Sequence, residues 1–151
     1  QAVQGARALR QALAGAAGMD ELGEVGAVND FFNRRLQYRD DQEIWGQVDY
    51  WASPLESLQK GMADCEDYAI AKYFTLTALG VPHRKLRLVY VRVALGAATG
   101  ALAGLVQPHM VLAYYPSPDA EPYVLDNLIG GRAVAPRARA VRSRVPHAAR
   151  C

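Results

Sequence analysis

The segment "GMADCEDYAIAKYFTLTALG", residues 61–80, sets one cysteine, Cys65, among three acids, Asp64, Glu66 and Asp67. A cysteine acts as a nucleophile through its thiolate, and nearby negative charge opposes that form. Two features counter the opposition. Asp64 reads as the start of a helix, so Cys65 falls in its first turn, where backbone N–H groups and the helix dipole favour an anion. A divalent cation held by the acids would offset their field. The plainer alternatives are a buried structural cysteine and acids placed by the charge preference of a helix start.

A nucleophile needs a base, and the segments "HMVLAYY" and "PYVLDNL" around the turn "PSPDAE" supply one. A turn centred between Ser117 and Pro118 sets Tyr115 opposite Ala120 and His109 opposite Asp126. Opposed residues share a sheet face, with Cβ atoms about 4.5–5.5 Å apart. An aspartate so placed orients an imidazole and fixes its tautomer. A slip of one residue would separate the pair, and taken alone His109 reads equally as a satisfied strand-end histidine. His83 follows Pro82 in a turn and His147 lies in the basic tail, so both are poorer candidates. Cys65, His109 and Asp126 together follow the logic of papain-like and transglutaminase-like acyl transfer from an amide. The imidazolium holds the thiolate and then protonates the leaving amine. The Cys65 N–H is a candidate oxyanion donor. Trp45 and Trp51 either wall a cleft or fill the core.

Helices in the first half must position the thiol. Residues 1–18 are rich in Ala and Gly and read as a loose helix or as disorder. Asp20 caps a helix whose Leu22, Val25, Phe32 and Leu36 sit near helical spacing. "YRDDQEIWGQVDYWASP" reads as an irregular loop. Ser53, Pro54 and Glu56 form a capping-box start for a short helix that ends at Lys60-Gly61. In the helix after Asp64, Ile70, Tyr73, Phe74 and Thr77 predict one buried face. Gly80 and Pro82 end it. "KLRLVYVRVAL" alternates and is rich in β-branched residues, so it reads as a strand. "GAATGALAGLVQP" reads as a small-residue loop. Helices first and an antiparallel sheet after them predict an α+β fold.

The 151 residues suit one domain, and no run reaches the roughly 18 apolar residues of a membrane span. The chain starts at Gln1 with no charged-then-apolar leader, as expected of a mature or trimmed chain. Its formal charge of +2 is misleading, because six of the 17 basic residues lie in 132–151, which has no acid; the first 131 residues carry 11 basic against 15 acidic side chains. The body has no basic face with interleaved aromatics, which argues against nucleic-acid binding. A Cys65–Cys151 disulfide would tie the core to a basic end and is not expected. The domain expectation is one unit over 1–131, with 1–18 loose, followed by a disordered tail over 132–151.

Five stretches in order, "VNDFFNRRLQY", "WGQVDYWASPLESLQKGMADCEDYAIAKYFTL", "GVPHRKLRLVYV", "HMVLAYYP" and "VLDNLI", resemble the bacterial transglutaminase-like cysteine proteinases. Within that family the likeness is to the periplasmic LapG-type proteases, over roughly residues 25–130. The resemblance implies a papain/transglutaminase-like fold and a calcium-dependent periplasmic endopeptidase. Such enzymes cut near the N-terminus of a large cell-surface adhesin, often at a di-alanine site, and so disperse biofilm. An inner-membrane cyclic-di-GMP receptor sequesters them. Matched residue by residue, the resemblance makes Cys65, His109 and Asp126 the catalytic triad, and Asp64 and Glu66 calcium ligands. Calcium takes six to eight oxygens, so further ligands are needed. Asp40, Asp41 and Asp49 are candidates, with solvated charges as the simpler reading. The spacing is not that of an EF-hand loop. The final "GGRAVAPRARAVRSRVPHAARC" departs from the family pattern, lacking its aromatic residues.

Two other readings use the same residues. A transglutaminase or amidase would share the triad and differ in the acyl acceptor. A non-catalytic binding domain would keep the cleft for recognition alone.

Overall fold

A computed structural model describes residues 2–94 and 106–128, and the backbone of 135–136. The helices come first: α1 (Ala2–Ala16), α2 (Glu21–Arg35), α3 (Asp41–Trp45), α4 (Pro54–Lys60) and α5 (Cys65–Leu79). Two short strands, β1 (Gln37–Tyr38) and β2 (Met62–Ala63), pair in parallel between them. A 3-10 turn at His83–Lys85 leads into the antiparallel sheet β3 (Leu86–Ala94), β4 (Val106–Tyr114), β5 (Tyr123–Leu125) and β6 (Ala135–Pro136), in that spatial order. The α+β expectation holds.

Local chemistry explains the helix ends. Asp20 caps α2 by accepting from the Gly23 N–H at 2.8 Å, and Glu21 and Glu24 lie in the first turn where the dipole favours them. Ser53 and Glu56 close both halves of a capping box around Pro54. Gly61, at φ 70°, ends α4 in the left-handed region that glycine adopts without strain.

Packing departs from the sequence pattern at several places. The buried stripe of α2 is Val25, Val28, Asn29 and Phe32, while Leu22 is exposed. The first two turns of α5 are buried all round, from Cys65 to Lys72. Beyond them the buried residues are Thr75 and Leu76, and Phe74 is exposed, so the predicted Tyr73–Phe74 face is not the core face. The reason is position: the start of α5 is wedged between the other helices and β4, and its later turns rest on one side only. The predicted loop over 38–54 contains α3. The Ala- and Gly-rich start forms α1, and it lies so close to α4 that a Cβ on Gly5 would sit 2.9 Å from the Leu58 Cβ.

The main core joins Phe32 and Leu58 to Tyr68, Leu76, Met110, Leu112 and Leu125, uniting helices and sheet around α5. Most of the loop predicted at 96–108, most of the tail and Cys151 lie outside the described residues. Within that span, Ala135 and Pro136 pair with Val124 and Tyr123 as an edge strand.

The hairpin register differs from the expected one. Tyr114 faces Tyr123 and Leu112 faces Leu125. The turn centres one residue later than predicted, between Pro118 and Asp119, closed by the Ala120 N–H donating to the Ser117 carbonyl at 3.2 Å. Moving the turn by one residue moves the cross-strand pairing by two. Side-chain direction has period two, so His109 and Asp126 remain on one face. They become diagonal neighbours instead of directly opposed ones, still within reach of long side chains.

Candidate active site and acidic pocket

Asp64 follows β2 and caps α5, its Oδ1 accepting from the Asp67 N–H at 3.1 Å. That cap puts Cys65 at the first helical position, fully buried. The Cys65 Sγ accepts from the Met110 N–H at 3.0 Å. The sulfur is therefore held against the peptide that follows His109. Cys65 is disulfide-bonded in this structure, which corrects the expectation above that it is not. Once the sulfur is reduced, a backbone N–H aimed at it favours the charged form. Glu66 works the other way, with its Oε2 3.3 Å from the same sulfur.

His109, also buried, pairs its Nε2 with the Asp126 Oδ1 at 2.8 Å. The Leu128 N–H donates to the same carboxylate oxygen at 2.9 Å. Burial opposes the Asp126 charge, but these bonds hold its carboxyl below the usual range. An ionised Asp126 accepting from Nε2 fixes the tautomer with its proton there, leaving Nδ1 with the lone pair.

The acids of the opening segment do not face solvent. Asp40, Asp41, Asp49, Asp64 and Glu66, with Gln42 and Val48, line a pocket of about 360 Å³. Asp41, Asp64 and Asp67 each bring a carboxylate oxygen within 4.8 Å of the others, and all three residues are buried. Asp41 takes the Tyr50 N–H on Oδ2, and Asp67 takes the Ala52 N–H on Oδ1. Their second oxygens, Asp41 Oδ1 and Asp67 Oδ2, are buried and have no hydrogen-bond partner. Burial, with mutual repulsion added, pushes Asp64 up to about 6, Asp67 to about 7 and Glu66 to about 8. Burial raises Asp41 as well. Glu66 shares a hydrogen bond with Asp64 that favours a proton on Glu66. Buried carboxylate oxygens lacking donors are costly. A hard divalent cation meets that need with oxygen ligands alone, so the donor set fits calcium chemically.

Of the expected site residues, the structure joins His109 to Asp126 and sets Cys65 beside the next peptide. It places Asp64 and Glu66 in one pocket. Asp41 is buried among the acids instead of solvated, while Asp40 and Asp49 are exposed on the rim. Asp67 belongs to the tight group of three; the sequence set it among the acids that could hold a cation, while the resemblance named only Asp64 and Glu66 as ligands. Trp51 is exposed, and Trp45 packs on Tyr50 and beneath the Lys60 ammonium. Asn33 and Lys72 were also missed; both touch the backbone around Asp126. Neither carries a local signal, since each meets that backbone only through the fold.

Residues 6–130 match the family described as bacterial transglutaminase-like cysteine proteinase. No curated protein matches the chain. Three solved structures of Legionella pneumophila LapG, one EGTA-treated, one without a stated treatment and one calcium-bound, each share 40% identity over 80% of this chain, with a TM-score of 0.65. The chain spans 60–61% of their length. With the family match running from α1 past the end of β5, the chain belongs to the bacterial transglutaminase-like cysteine proteinases.

Proposed function

We propose that this chain carries a calcium-dependent cysteine endopeptidase whose triad is Cys65, His109 and Asp126. One observation carries the reading: the Cys65 sulfur is held against the peptide next to His109, and His109 is itself paired with a buried aspartate. Cys65 Sγ attacks the substrate carbonyl and His109 Nδ1 takes the thiol proton. The Cys65 N–H, at the head of α5, donates to the developing oxyanion. His109 then protonates the leaving amine as the C–N bond breaks, and water, deprotonated by Nδ1, releases the acyl group and restores the thiol. Asp126 stabilises the imidazolium throughout.

Calcium would be held by Asp64 and Glu66 with Asp41 and Asp67, and would supply positive charge that offsets the acids around the thiolate. The LapG structures, one calcium-bound and one EGTA-treated, support calcium as the cation. By the family resemblance, the substrate is the N-terminal region of a large cell-surface adhesin, whose release disperses biofilm. The site of action is the periplasm, and an inner-membrane cyclic-di-GMP receptor is the inhibitory partner. No helix among the described residues is long and apolar enough to cross a membrane.

The test is cleavage of a di-alanine peptide by reduced protein with calcium. Wild type is expected to cut it, and Cys65→Ala to fold normally and cut nothing. Equal cleavage by the variant, or none by wild type, overturns the reading.

A further inference from the structure

The ladder between β4 and β5 ends at the Leu112–Leu125 pair. Asp126 therefore lies one residue past the last sheet hydrogen bonds, where a strand end frays. An acid that must hold an imidazole within a few tenths of an ångström needs another anchor. Two helices reach it. From α2, the Asn33 Nδ2 donates to the Asp126 backbone carbonyl at 2.7 Å, across 93 residues of sequence. The acceptor is a carbonyl, so the amide's donor must face it. From α5, the Lys72 Nζ reaches the Leu125 carbonyl at 3.5 Å. Lys72 is fully buried, lies over the Tyr68 ring and interacts electrostatically with Asp126. A buried lysine in the interior of a helix is costly unless a nearby negative charge offsets it. Asp126 supplies that charge and no described acid of the calcium pocket does so.

We propose that Asn33 and Lys72 are positioning residues that clamp consecutive carbonyls of 125–126 and so aim the Asp126 carboxylate at His109. This rests on the triad reading above. In this arrangement the helices replace the missing sheet pairing at the strand end. The Leu128 N–H then closes the far side of the same carboxylate.

The test compares Asn33→Ala, Lys72→Met and Tyr68→Phe in the full chain. Tyr68→Phe removes a buried hydrogen bond to the Leu36 carbonyl but keeps the ring under Lys72, and so serves as the structural control. The primary readout is the His109 ring N–H in proton–nitrogen NMR spectra. Wild type should show a downfield, exchange-protected Nε2–H, which Asp126→Ala abolishes. Asn33→Ala and Lys72→Met should shift or broaden it while Tyr68→Phe leaves it in place. If Asn33→Ala does not fold, Asn33→Asp keeps the shape and turns the donor into an acceptor facing the carbonyl. On the di-alanine peptide, kcat should fall about tenfold or more in both clamp variants with KM within twofold, as expected when a reacting group is misplaced. An unchanged ring signal in both clamp variants overturns the proposal. So does an equal change in the Tyr68→Phe control. If Asp126→Ala abolishes the ring signal but cleavage is unaffected, the triad reading fails and the signal alone still judges the clamp.

Discussion

Removing the cation should invert the usual pH dependence of stability. Asp64, Asp67 and Glu66 titrate near 6, 7 and 8 in the folded chain, far above the ordinary carboxyl range. Between pH 5 and 7 the metal-free native state therefore holds protons that the unfolded chain has released. The slope of unfolding free energy with pH follows the protons bound in the unfolded state minus those in the native state. Here that difference is negative, so stability falls as pH rises. The window is chosen by the other groups. Glu21, Glu56 and Asp126 are lowered, and most of their rising contribution is in place by pH 5. Lys72, lowered to about 7, begins to add stability with rising pH at the top of the window and does so mainly above it. One net retained proton gives about 1.4 kcal/mol per pH unit. Over the two units that is about 3 kcal/mol, a fall of roughly 5–10 °C in Tm for a chain of this size. Calcium at about 100 times its Kd returns ~2.7 kcal/mol by mass action. It should do so mainly at pH 7, because at pH 5 it must displace protons. The assay is a thermal melt of protein stripped on a chelating resin, with and without calcium, at half-unit steps from pH 5 to 7. A metal-free Tm that stays flat or rises across the window would refute the reasoning. So would a calcium shift of equal size at both ends.

Two further outcomes test the scaffold. Ser53→Ala opens the capping box of α4 and should cost about 1 kcal/mol, seen as a fall of roughly 2–4 °C in Tm; an unchanged melt would mean the box is dispensable. Leu112 is fully buried between β3 and β5, so Leu112→Ala should cost about 2–5 kcal/mol. Denaturant unfolding should show this as a lower midpoint with the same slope, and a loss below about 1 kcal/mol would place Leu112 outside the cooperative core.

What the sequence determined by itself was local. Asp20, Ser53 with Glu56, Asp64, Gly61 and Gly80 mark helix ends because capping is chemistry between residues a few positions apart. The cap at Asp64 is also what places Cys65 at the head of α5. The pairing of His109 with Asp126 was legible for a related reason. It depends on which face a residue occupies, and that parity survived a register misread by two. Tertiary structure decided the rest. Phe74 has the right spacing for a core position and is exposed, because burial depends on what packs against a helix. Asp41 looked like a solvated loop acid. It is buried because α3 folds onto the start of α5, bringing its carboxylate to Asp64 and Asp67. Asn33 and Lys72 meet the carbonyls at Asp126 and Leu125 from helices far away in sequence. No periodicity or motif encodes such a meeting, since it exists only once α2, α5 and β5 share one core.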